Sequence, residues 1–131
     1  MSRTDLIADT FTIIRNGGMA KKESVDIPAS NTTREILEIL KRENYIDNLK
    51  TIEDKKQGIL KVYLKYASGK PAIRNIRRVS KPGLRVYVKK DKIPSVLRGR
   101  GLAVISTPKG IMTGSEAKEQ GLGGEVIGYV W

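Results

Sequence analysis

Ser106, Thr107 and Lys109 stand almost side by side in the stretch Val104 to Thr113, VISTPKGIMT. Two hydroxyls beside an amine admit a small hydrolase in which Lys109 acts as base for Ser106, because a desolvated lysine loses its proton readily. No oxyanion-stabilising arrangement is legible around them. The rest of the reactive inventory is short, since the chain contains no histidine and no cysteine. That removes the base most used near neutral pH, thiol nucleophiles, disulfides and the common zinc ligands. The glycine spacing needed to wrap a nucleotide is missing too, and PKGIMTG does not supply it. No catalytic residue, cofactor or metal ion is expected.

The same stretch has a second chemistry. Ser106 and Thr107 donate and accept hydrogen bonds, Pro108 stiffens the backbone, Lys109 adds charge and Gly110 permits close approach. Small hydroxyl and amide groups suit an RNA minor groove, where 2′-hydroxyls and base edges lie within reach of short side chains. An ordinary tight turn between a strand and a capped helix uses the same residues, and both readings stand at this level.

Charge favours a polyanionic partner. Lys and Arg number 25 against 14 acids, a formal charge of +11. Residues 1–69 carry a net +2 and residues 70–131 a net +9, so the second half holds the electrostatic footprint. Its densest region contains Arg74, Arg77, Arg78, Lys81, Arg85, Lys89, Lys90 and Lys92, opposed only by Asp91. On an extended chain Arg85, Tyr87 and Lys89 share a face, which would give a phosphate-binding row with one aromatic for stacking. Arg98 to Gly101, RGRG, reads equally as a phosphate contact or a basic turn. Glu125, after Gly123 and Gly124, would either orient arginines, accept a base amino group or stand exposed.

The elements that must position these residues follow from periodicity. Leu6, Ile7, Phe11, Ile13 and Ile14 lie on one helical stripe from Asp5 to Met19, with Thr4 as N-cap and Gly17-Gly18 as terminator. Ser24 to Ala29 reads as a short strand meeting Pro28. Thr32-Thr33-Arg34-Glu35 spells a capping box opening a second helix with Ile36, Leu37, Ile39 and Leu40 on its buried face. Two strands then flank a turn at Asp54 to Gly58, the second with Leu60, Val62, Leu64 and Tyr66 on one face. Ala67 to Ala72 is the candidate boundary. Beyond it come a basic strand in AIRNIRRVS, the turn at Lys81 to Gly83, a strand with Leu84, Val86 and Val88 inward, a helical turn around Ile93 to Arg98, and a strand from Leu102 to Ile105. A helix capped by Thr113 and Glu116 runs to about Gln120, and GGEVIGYVW closes as a strand, its Tyr129, Val130 and Trp131 serving packing. The expected fold is α+β with two small lobes: αβαββ over residues 1–69, and a mainly β, basic, RNA-binding lobe with short helices over residues 70–131.

No run approaches the roughly 18 apolar residues of a membrane helix, and no signal-like segment opens the chain. The first helix, with Arg15 beside Asp5 and Asp9, lacks the basic face of a membrane-surface helix. A cytoplasmic protein with no membrane partner is expected.

Four blocks, IADTFTIIRNG, SKPGLRVYVKK, GLAVISTPKGIMTGSEA and the terminal GGEVIGYVW, together resemble the family of the eighth protein of the small ribosomal subunit, in its bacterial form. The similarity runs over essentially the whole chain. It implies a non-catalytic structural constituent of the small subunit that binds the central domain of the small-subunit ribosomal RNA early in assembly. It further implies neighbouring small-subunit proteins as partners, a monomer when free, and binding to the messenger of the protein's own operon. The localisation implied is the cytoplasm, in the ribosome, with plastid-encoded members looking similar. The family's main RNA contact matches Ser106, Thr107, Pro108, Lys109 and Gly110, with further contacts matching Lys81 to Tyr87, Gly124 and Glu125, and Thr4 and Asp5. The chain departs from the family's pattern at Pro108, where a serine is common, at Gly114, where an acid is common, and at Gly128, often Cys or Ala. A basic RNA-binding module outside the ribosome is the alternative.

Overall fold

The computed structural model describes residues 5–53 and 57–131. The chain divides into two units, Leu6–Arg74 and Asn75–Trp131, with Asp5 grouped with the second. The hairpin formed by Tyr66–Ala67 and Lys70–Pro71, where the sequence suggests a boundary, belongs to the first unit.

In the first unit, α1 (Leu6–Met19) precedes β1 (Ser24–Pro28), α2 (Asn31–Arg42), β2 (Ile46–Ile52), β3 (Ile59–Leu64) and the small hairpin β4 (Tyr66–Ala67) and β5 (Lys70–Pro71). The three long strands form an antiparallel sheet in the order β1-β3-β2. Strand alternation sends Val25, Ile27, Leu60, Val62 and Leu64 to one face. There α1 packs on β1 and α2 on β2, and Phe11, Ile14, Ile36, Leu37 and Leu40 complete a core almost free of solvent. Each such aliphatic side chain contributes about 1.5–3 kcal/mol when buried.

One end of each helix in this unit differs from expectation. Gly17 and Gly18 do not stop α1; they are buried inside it, and a Cβ on Gly17 would meet Val25 Cγ1 at 2.6 Å, so the glycine lets the helix approach β1 closely. The stop comes at Lys21, whose left-handed backbone (φ +55°) allows Lys22 N–H to bond Gly17 C=O and Lys21 N–H to bond Gly18 C=O. Asn44 ends α2 in the same way. At the start of α2 the cap is Ser30, whose extended backbone lets its Oγ accept from Thr33 N–H at 3.1 Å. The box expected at Thr32 does not form, because Thr32 already lies inside the helix. Ser30→Ala is therefore expected to lower stability by about 1 kcal/mol and Thr32→Ala by a few tenths at most, read from urea midpoints. The Thr4 cap expected for α1, and Asp54 to Lys56 of the expected turn, lie outside the described residues.

The second unit contains β6 (Ile76–Arg78), β7 (Tyr87–Val88), a left-handed turn at Leu97–Gly99, β8 (Leu102–Thr107), β9 (Gly110–Thr113), α3 (Gly114–Gln120) and β10 (Gly124–Val130). The sheet runs β6-β10-β8-β9, and β7 pairs with the start of β10. Val96, Ala103, Ile105, Met112, Ala117 and Val126 form its core on the α3 side. The capping box at Thr113 and Glu116 is present, with both reciprocal hydrogen bonds made.

Three expectations are corrected here. The two long basic strands are short, since β6 and β7 both pair with β10 and the chain between them loops out through the Lys81–Leu84 turn. Leu84 consequently points outward and is 70% exposed, whereas Val86 and Val88 pack on the core as expected. The helical turn expected around Ile93 to Arg98 is displaced to Leu97–Gly99 and is left-handed: Val96 is extended, and Leu97 and Arg98 adopt φ of +47° and +55°. That left-handed backbone costs roughly 1–2 kcal/mol per residue. The Val96 carbonyl, which accepts from both Gly99 and Gly101, holds it in place.

Among the described residues no helix is long and apolar enough to cross a membrane.

Candidate nucleic-acid interface

VISTPKGIMT is a hairpin rather than a strand leading straight into a helix. β8 continues to Thr107, Pro108 and Lys109 form the tip, and Gly110 opens β9 with φ +116°, a backbone that disfavours any side chain. Thr107 locks the tip. Its hydroxyl donates to the Gly110 carbonyl at 2.8 Å and accepts from Lys109 N–H at 3.1 Å, and the residue is buried. Its single proton is therefore committed inside the protein. Ser106 and Gly110 are half-buried, while Pro108 and Lys109 are exposed.

Gly123 and Gly124 bring the other segments to this hairpin. A Cβ on Gly124 would collide with the Ser106 carbonyl, and one on Gly123 would sit 2.5 Å from Val88 O and 3.0 Å from Lys89 Cα. The start of β10 is thus confined between the hairpin and the end of β7. Register then aligns Tyr87, Glu125, Ser106 and Ile111 directly across four strands, so they share one face. Tyr87, at one end of this row, is 68% exposed.

Glu125 anchors it. Its Oε2 accepts from the Ser80 hydroxyl and, at 3.0 Å, from Arg85 Nη1. Burial alone would raise the Glu125 pKa, but the Ser80 and Arg85 hydrogen bonds and the charges of Arg85 and Arg78 outweigh it and hold the carboxyl below its usual range. A depressed folded-state pKa stabilises above the unfolded value of about 4.3 and is lost as pH falls through the folded value. Glu125→Gln is expected to be less stable than the parent near neutral pH, with the gap closing as pH falls below about 4. Denaturant midpoints measured across pH check this. Ser80 is fully buried and did not stand out in the sequence; the only local signal is a serine just before the Lys-Pro-Gly turn.

The remaining candidates separate. Arg78 turns inward: its Nε pairs with Asp5 at 3.2 Å and its Nη1 donates to Ile127 O at 2.8 Å. With side-chain exposures of 8% and 18%, Arg78 and Asp5 are bound to each other and largely withdrawn from solvent. Arg77 is exposed but pairs with Tyr129, four residues along β10 from Glu125, about 13 Å away. Lys81 and Lys89 are exposed cations near the turn and the end of β7. Thr4 lies outside the described residues. Lys109 is exposed and so lacks the desolvation a catalytic lysine needs. No group of three metal-ligating side chains occurs among the described residues.

The arrangement offers short polar groups in a row, one flat aromatic and a rim of exposed cations, the kinds of group that can meet a structured RNA. Comparison with known proteins agrees. The model of the family Ribosomal protein S8 matches residues 5–131. Over the full length of both chains the sequence is 58% identical to small ribosomal subunit protein uS8 of Ruminiclostridium cellulolyticum and 53% to that of Streptococcus uberis. It is 55% identical to that of an Exiguobacterium species, again over both entire chains. With the sheet row, the locked hairpin and matches that run the length of the chain, the protein belongs to the ribosomal protein S8 family.

Proposed function

We propose that the protein binds the central domain of small-subunit ribosomal RNA and helps order it during assembly of the small ribosomal subunit, where it remains as a structural component beside neighbouring ribosomal proteins. It is not an enzyme, and it works in the cytoplasm, in the ribosome. The observation that carries the reading is the row Tyr87, Glu125, Ser106 with the Thr107-locked hairpin beside it. Ser106, Pro108, Lys109, Gly110, Gly124 and Glu125 approach the RNA minor groove, and Arg85 and Tyr87 flank it. Lys81, Lys89 and Arg77 neutralise phosphates and release counterions, which makes affinity salt-dependent. Thr107 acts by holding the tip, and Arg78 with Asp5 by holding β6. The operon messenger would use the same face.

Hydroxyl-radical footprinting on naked small-subunit ribosomal RNA tests this. Protection confined to the central domain is expected. Diffuse protection spread over all domains would instead describe a basic surface without a reading site.

A further inference from the structure

We propose that Ser80 is a positioning residue for RNA recognition: acting through Glu125, it fixes the guanidinium of Arg85 in one orientation, so that Arg85 determines specificity rather than serving as a mobile countercharge. The inference rests on the RNA-binding reading above and adds a residue that does not itself reach the surface.

The hydrogen-bond directions are fixed by the chemistry. Val86 N–H donates to Ser80 Oγ at 3.1 Å, so the hydroxyl's one proton goes to its other partner, Glu125 Oε2. The same oxygen accepts from Arg85 Nη1 at 3.0 Å. The backbone closes the circuit, with Ser80 N–H bonded to Val126 C=O and Val126 N–H to Val86 C=O. Ser80, Val86 and Val126 thus hold three segments together, and the carboxylate between them presents one edge of Arg85 to a fixed acceptor.

Arg85 is otherwise outward, its side chain 43% exposed. One Nη donor is spent on Glu125, whose partner across the strand pair is Tyr87 of the recognition row, and the other donors of the planar fork remain for an RNA acceptor. A guanidinium held this way loses little freedom on binding and rejects acceptors that do not match its geometry. Lys89 and Lys109 contrast with it: both are exposed, and neither has an ion-pair partner among the described residues. They attract any phosphate backbone, whereas Arg85 is aimed.

The test combines two readouts on the full chain. In the free protein, 15N relaxation of the Arg85 Nε–Hε group should show an ordered side chain in the parent, a mobile one in Ser80→Ala and Glu125→Gln, and restored order in Ser80→Thr, which keeps the hydroxyl. Binding to a central-domain RNA helix and to a duplex with a scrambled internal loop should show the preference for the former falling about tenfold in Ser80→Ala, with scrambled-duplex affinity unchanged. Arg85→Lys, which keeps the charge and leaves the core intact, should lose the same preference, and it carries the test if Ser80→Ala does not fold. Retention of the parent's preference in Ser80→Ala or in Arg85→Lys overturns the proposal, as does an Arg85 equally ordered with and without the Ser80 hydroxyl. A parent with an ordered Arg85 but no preference for the central-domain helix would overturn the RNA reading itself, so the two failures are distinguishable.

Discussion

Gly124→Ala is expected to lower stability by about 3 kcal/mol, the upper range for forcing extra volume into a packed site. The added Cβ would collide with the Ser106 carbonyl, a backbone group that cannot rotate away as a side-chain end does. Relief requires β8 and β10 to separate where Glu125 and Ser106 face each other, so the surviving folded protein should also lose its preference for the central-domain helix. Gly83→Ala is the control. A Cβ there meets nothing within 4 Å, so the change should stay within about 0.5 kcal/mol. Urea denaturation of the two variants beside the parent reads both effects.

Thr107→Val is expected to cost about 1–2 kcal/mol and to weaken cognate RNA about tenfold while leaving scrambled duplex unaffected. Valine keeps the shape but leaves Gly110 C=O and Lys109 N–H without the partner that fixes the tip. Thr107→Ser retains the hydroxyl and should keep most of the preference. The pair of substitutions separates a locking role from a direct contact by the threonine methyl, since a methyl contact would survive in valine and be lost in serine, reversing the order of the two effects.

Much of the architecture was legible because it is written in local patterns. The inward faces of α2 and β3 follow from spacing at Ile36, Leu37, Leu40, Leu60, Val62 and Leu64, and the α3 capping box is readable from Thr113 and Glu116 alone. Errors arose where local rules competed. Ser30 and Thr32 are both good caps, and the exit from β1 decides between them. Lys21 takes the left-handed position that Gly17-Gly18 advertises, because those glycines are used for packing against β1.

Pairings between distant residues were out of reach. Arg78 meets Asp5 across 73 positions and Ser80 meets Glu125 across 45, and no periodicity links such residues. Thus the basic cluster was visible as charge, while its division into an inward Arg78, an aimed Arg85 and outward lysines depends on the sheet register. Leu84 failed for a similar reason: alternation holds only while a strand is paired, and the chain is in a turn there.

The central claim is that a fixed row on the sheet specifies the RNA while exposed cations only position it. The most direct measurement is affinity for the central-domain helix and for the scrambled duplex over a series of salt concentrations, for the parent, Thr107→Val and Lys89→Ala. The account predicts that the parent's preference persists as salt rises and shrinks in Thr107→Val, while Lys89→Ala weakens both RNAs alike and reduces the salt slope by about one. If the parent binds both RNAs equally and loses them together as salt rises, recognition is electrostatic alone and the account is wrong.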